Sequence, residues 1–233
     1  MGTSKYNISN GVNRIIFDIE TVGTDFEKMD KDSQEYLLKY SETPESRQET
    51  KEKMSFWPLT AQGVAIAVLN PDTDKGAVYF QSGDKKIEPF EENNIKFVSG
   101  TEKEILENFW KAVASYDQFI TFNGRGFDAP FLTIRSAINK IVPTKNLMPP
   151  RYSANIHIDL MDQLTFYGAT RKFNLDFYAK SFGINSPKSG GIKGSDVGRL
   201  YKEKKYLDIA RYCLGDVVAT KKLYEVWRDY INI

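Results

Sequence analysis

The stretch Arg14-Ile15-Ile16-Phe17-Asp18-Ile19-Glu20 constrains this chain more than any other segment. Its short apolar run reads as a buried strand, yet two acids stand near its carboxyl end. Residues two apart on a strand share a face, so Asp18 and Glu20 point the same way. Two carboxylates side by side in an apolar element are costly unless positive charge lies between them. A hard divalent cation such as Mg²⁺ or Mn²⁺, which prefers carboxylate oxygens, is the natural partner. On its own this D-x-E spacing is a weak signal, because a strand emerging into a polar loop also ends in acids.

The rest of the chain reads as alternating strands and helices. Thr24–Ser55, dense in Glu and Lys, carries Phe26, Met29, Tyr36, Leu37 and Tyr40 at roughly helical spacing, with a break near Pro44. It predicts one or two exposed helices inserted after the first strand. Gly63–Leu69 and Ala77–Gln81 are strands joined by turn chemistry at Asn70–Gly76, a hairpin. Thr101–Tyr116 opens with a capping box and puts Ile105, Leu106, Phe109, Trp110 and Val113 on one helical face. Gln118–Phe122 and Asn155–Asp159 are a fourth and a fifth strand, with a helix over Ala129–Asn139 between them. Helices follow over Met161–Tyr167, Leu175–Phe182, Asp196–Lys204 and Tyr206–Tyr230, interrupted by a Gly- and Lys-rich loop, Ser186–Ser195, expected to be mobile. The expectation is an α/β fold, a mixed five-stranded sheet flanked by helices, in one domain over residues 1–233 with the charged insertion at 24–55.

Composition excludes some chemistries. With 41% hydrophobic residues in 233, the chain can bury a core. No apolar run is long enough to span a bilayer and the N-terminus is too polar for a signal peptide, so no membrane partner is expected. A single cysteine, Cys213, excludes an internal disulfide and a cysteine-rich zinc site; the expected location is the reducing cytoplasm. The single histidine, His157, limits mechanisms that need His as general base. The net charge is only +1, but Lys145–Lys205 holds eleven basic against five acidic residues, a local excess that suits a phosphate backbone or simply solvates helices.

Two further segments carry acids to the ends of core elements. Tyr212 and Asp216 stand four apart on a helix and share a face. Phe122-Asn123-Gly124-Arg125-Gly126-Phe127-Asp128 follows a strand and leads into a helix, where Asp128 read alone is an N-cap. Asp159, in His157-Ile158-Asp159-Leu160-Met161-Asp162, is expected to cap the helix after it, and His157 to be a satisfied strand-end residue.

Taken together, D-x-E, then N-x-x-x-F-D, then Y-x-x-x-D resembles the three motifs of the DEDD superfamily of 3′–5′ exonucleases in its tyrosine-bearing branch, as in the proofreading domains of family-B DNA polymerases and stand-alone polymerase-B-like exonucleases. The resemblance spans Arg14 to Tyr224. It implies a ribonuclease H-like core and a two-metal 3′–5′ exonuclease acting on single-stranded nucleic acid, DNA above all, with catalytic residues Asp18, Glu20, Asp128, Tyr212 and Asp216. It further implies that Asp18 bridges two Mg²⁺ or Mn²⁺ ions, that Glu20 and Asp216 complete the water-activating site, that Asp128 holds the second ion through its waters, and that Tyr212 orients the attacking water. A branch with His at the tyrosine position is excluded, because His157 lies far upstream of Asp216. Candidate substrate contacts are Asn123, Phe127, Lys188 and Lys193, although Phe127 favours core packing and the two lysines a solvated loop. No polymerase domain is expected after the third motif, and the 24–55 insertion is not part of the minimal core. An RNA-trimming nuclease is the alternative within the enzyme class, since acids alone do not discriminate the 2′-OH. A nucleic-acid-binding protein without catalysis is the alternative outside it, and would not need all five site residues.

Overall fold

The structure, a computed structural model, describes residues 11–184 and 191–232. The first strand, β1 (Arg14–Gly23), is followed by two helices, α1 (Lys31–Leu38) and α2 (Pro44–Lys53), then by β2 (Ala61–Leu69) and β3 (Gly76–Gln81). Next come β4 (Phe90–Glu92), β5 (Ile95–Gly100), α3 (Glu102–Val113), β6 (Gln118–Thr121), α4 (Asp128–Ile138) and β7 (His157–Asp159). The chain continues through α5 (Leu160–Leu164), α6 (Leu175–Ser181), α7 (Val197–Lys202) and the long α8 (Tyr206–Tyr230). Among the described residues no helix is long and apolar enough to cross a membrane.

The sheet has seven strands in the order β4-β5-β3-β2-β1-β6-β7, not the five expected from sequence. The two additional strands are the short hairpin β4–β5. Its turn residues Asn93 and Asn94 sit at φ +51° and +66°, the pair of left-handed conformations that a two-residue hairpin turn needs and that Asn tolerates. β5 then lies parallel to β3. β1 is central, antiparallel to β2 and parallel to β6, so both its faces are covered. Ile15, Phe17 and Ile19 pack with Ile105, Phe109 and Trp110 of α3 and Phe131 of α4. Ile16 packs with Ile209, Cys213 and Val217 of α8. The period of two therefore sends Asp18 and Glu20 towards α8.

The charged insertion is two separate helices, and Pro44 is the first residue of the second, where its missing N–H costs nothing. Neither helix buries a residue. What ties the insertion to the sheet is its return: Met54 is buried, and the Thr21 hydroxyl donates to Ser55 O at 2.6 Å. A Cβ on Gly23 would stand 3.1 Å from Ser55 N, so glycine permits the close approach.

Candidate active site

β1 loses register between Glu20 and Thr21. Such bulges bend a strand and re-aim its side chains, often beside functional sites. Directly across from Asp18 and Glu20, β2 places Ala67 and Ala65, whose small side chains leave room over the two acids. On the far side of that space α8 contributes Asp216. One carboxylate oxygen each from Asp18, Glu20 and Asp216 lie within 4.8 Å of one another.

Asp128 reaches the same centre by a different route. It is the first helical residue of α4, and the cap position is Phe127, which makes no side-chain cap hydrogen bond. The N-cap reading of Asp128 is thus corrected: its Oδ1 instead accepts the amide of Ile19 at 3.0 Å. The reason is topological. The β1–β6 pairing ends at Ile16↔Ile120, so the Ile19 N–H has no strand partner on that side, and a buried N–H needs an acceptor.

The electrostatics agree with the geometry. Burial, then repulsion from Asp128, Asp216 and Glu20, pushes the Asp18 carboxyl well above the usual carboxylate range. Burial, then Asp216 and Asp128, does the same to Glu20. Asp128 is pushed up to about 7, mainly by burial, with the Ile19 hydrogen bond pulling the other way. No Lys or Arg appears among the influences on any of the three. Four acids converge on one centre, and that all-carboxylate donor set fits hard divalent ions.

Tyr212 lies one turn before Asp216 on α8, and its hydroxyl is raised above its ordinary pKa by burial and then by the charges of Asp216 and Glu20. It stays protonated at neutral pH, hydrogen-bonded to Asp216. A Cβ on Gly194 would lie 3.8 Å from the Tyr212 hydroxyl, which brings the loop bearing Lys193 to the edge of the site. Lys193 itself is exposed. Lys188 lies outside the described residues.

Asn123 and Phe127 are half-buried. Asn123 adopts φ +62°, and its N–H donates to Asp159 Oδ1 at 2.9 Å. A Cβ on the next residue, Gly124, would fall 2.4 Å from Thr121 Oγ1, so this turn excludes any other residue there. Phe127 packs edge-on against Phe56 and tilted against Phe131, at 6.0 and 5.5 Å, which is the core-packing reading with one exposed neighbour. Asp159 caps α5 through Met161 N, and also accepts from Asn123 N and Arg125 N. His157 is satisfied at both nitrogens, 2.8 Å from Leu147 O and 2.8 Å from Thr121 Oγ1. A carbonyl only accepts, so Nδ1 carries the proton and Nε2 accepts from the hydroxyl. Asp162 is held by the Arg151 guanidinium.

Sequence reasoning missed Cys213. Its thiol is buried and donates to Asp18 O at 3.4 Å and towards Asp18 Oδ2 at 3.8 Å. Burial and the neighbouring Asp18 charge push the thiol up, so it stays a donor. The signal was available, since Cys213 stands three residues before Asp216 and helical residues three apart are neighbours.

No curated protein matches the chain. Among solved structures, the family B DNA polymerase from the hyperthermophilic archaeon Pyrobaculum calidifontis superposes with a TM-score of 0.57 over 93% of this chain, at 18% identity. At that identity the likeness speaks for the fold, and the chain spans 24% of the polymerase. A family model described as a predicted 3′–5′ exonuclease related to the exonuclease domain of PolB matches residues 62–230, which takes in Asp128, Tyr212 and Asp216 and begins after β1. With that match over more than half its length, the chain belongs to the family of predicted 3′–5′ exonucleases related to the PolB exonuclease domain.

Proposed function

We propose that this protein is a divalent-metal-dependent 3′–5′ exonuclease that shortens single-stranded DNA from its 3′ end, with residues 1–233 forming one exonuclease domain. The observation that carries the reading is the meeting of Asp18, Glu20 and Asp216 with Asp128, buried acids whose charges raise one another's pKa. Membership of a family related to the exonuclease domain of PolB supports the reaction class and, through that relation, DNA as the substrate. The buried, unpaired Cys213 fits a reducing cytoplasm.

Asp18, Glu20 and Asp216 would hold Mg²⁺ or Mn²⁺, two ions per site, with Asp128 contributing the carboxylate oxygen that Ile19 does not use. When bound, a pair of such ions supplies an activated water and stabilisation of charge on the leaving 3′ oxygen. The chain's own groups do the positioning. Tyr212 donates its hydroxyl hydrogen bond to Asp216, which leaves its oxygen lone pairs to accept a hydrogen bond from the attacking water and fix its direction. A phenol, whose ordinary pKa is about 10, is a poor general base at neutral pH, so positioning is the role assigned to it. Cys213, donating to Asp18, limits the rotation of that carboxylate. Lys193, at the rim, is placed to meet a phosphate of the strand.

The test is a 5′-labelled strand incubated as single-stranded DNA, blunt duplex and RNA, each with Mg²⁺, Mn²⁺ or EDTA. The expected result is a ladder receding from the 3′ end on single-stranded DNA, abolished by EDTA. A ladder on RNA alone would move the substrate to RNA, and metal-independent or absent hydrolysis would remove the reading.

A further inference from the structure

Beside α6 the protein turns large aromatic rings outward. Phe173 and Phe177 stack nearly parallel, 4.5 Å between centroids and 11° between planes, and Phe177 is 52% exposed. The Arg171 guanidinium lies 5.0 Å over the Phe173 ring. With Leu164, Tyr178 and Phe182 they line an open cleft of about 470 Å³. Exposed aromatic surface of this kind, gathered in one place, marks an interaction site rather than a packing residue.

The rings also connect inward. Phe173 meets Tyr178 at 6.1 Å and 83°, and Tyr178 meets Phe122 at 5.8 Å and 67°. Phe122 directly precedes Asn123, whose N–H is held by Asp159, and Asp159 is close enough to raise the Asp128 carboxyl. A row of three rings, Phe122, Tyr178 and Phe173, thus leads to the cleft from the segment that carries Asn123 and Asp128. The charge there is positive: Arg171 and Lys172 are exposed, while the acid on α6, Asp176, is matched by Lys180 at 2.8 Å.

We propose that this cleft is where an unpaired base lying 5′ of the terminal nucleotide stacks, on the outer face of Phe177 backed by Phe173, with Arg171 and Lys172 near the sugar-phosphate chain. Stacked rings flanked by cations are the combination that holds single strands without reading sequence, and a paired duplex does not present its base faces to such a surface. The proposal rests on the exonuclease reading and names where that enzyme grips the strand.

The test is kcat/KM for Mn²⁺-dependent hydrolysis of an oligothymidylate series from the dinucleotide upwards, with wild type, Phe177→Ala and Arg171→Ala. In the wild type kcat/KM is expected to climb with length once the strand reaches the cleft. Phe177→Ala should flatten that climb by about tenfold, through KM, the scale of losing one stacked base. Phe177 is exposed, so its removal leaves the core intact, which a thermal melt checks. An equal climb in wild type and both variants, or an equal loss at every length, overturns the cleft and leaves the exonuclease reading standing. Absence of turnover by the wild type on every length overturns that reading, and the cleft with it.

Discussion

The Asp128 carboxylate accepts the backbone amide of Ile19 at 3.0 Å, so a side chain of α4 completes the hydrogen bonding of the central strand. Asp128 therefore has a structural duty on Oδ1, and in the proposed site its other oxygen would take the chemical one. Asp128→Ala is expected to abolish hydrolysis and also to cost about 1–3 kcal/mol, the penalty of a buried N–H left without an acceptor. Asp128→Asn keeps a carbonyl oxygen for Ile19, so it should lose hydrolysis with little change in melting temperature. Equal melting temperatures for the two variants would show that the Ile19 bond contributes nothing.

Asp18 has no such duty. Its carboxylate is destabilised by burial and by three neighbouring acids, and a bound proton or cation relieves that repulsion. Asp18→Ala is expected to reduce hydrolysis to background while the metal-free protein melts at the same temperature or about a few degrees higher. Near-normal metal-dependent turnover by the folded variant would remove Asp18 from the site.

Tyr212→Phe isolates one hydroxyl. Hydrolysis should slow by up to about a hundredfold in kcat, the scale of a misplaced reactant, while Mn²⁺ titration and strand binding stay near wild type. A variant that loses strand affinity but keeps its rate at saturation would reassign Tyr212 to substrate binding.

Stability should depend on pH in a way that metal reverses. Asp128 titrates near 4 when unfolded and at about 7 when folded, so the native state binds more protons between those values. Stability from this group is complete below pH ~4 and is lost as pH rises towards 7, and Asp18 and Glu20 act in the same direction. His157 opposes them: burial lowers it from 6.5 to about 4, so its contribution is gained as pH rises through that window. In EDTA the melting temperature is expected to fall from pH 5 to 7.5, and His157→Gln to steepen the fall below pH 6.5. Saturating Mn²⁺, which binds the ionised acids, should abolish the fall. A melting temperature rising across that range in EDTA would contradict the mutual repulsion of these acids.

The central elements were legible because each carries its period plainly: β1 and β2 as apolar runs, α3 and α8 as stripes. The hairpin β4–β5 was not. β4 has three residues, two of them Glu, and β5 alternates only over Ile95, Lys96 and Phe97 before polar residues take over. Its one clear mark was Asn93-Asn94, a turn pair without the usual glycine. At the site, the three motifs taken together pointed, through the resemblance they carry, to Asp18, Glu20, Asp128, Tyr212 and Asp216. The Asp128–Ile19 bond was invisible, because it joins segments more than a hundred residues apart through a backbone group that every sequence shares.

The two helices that interrupt the chain after β1 bury no residue of their own, yet the segment returning from them is fastened to β1 at Thr21 and Gly23. That division has a practical consequence for proteases. The turn between α1 and α2, at residues 39–43, is the place where a nick would break no sheet pairing and release no acid from the centre. Cut there, β1 would stay seated between β2 and β6, and the two fragments would travel together until a denaturant parted them.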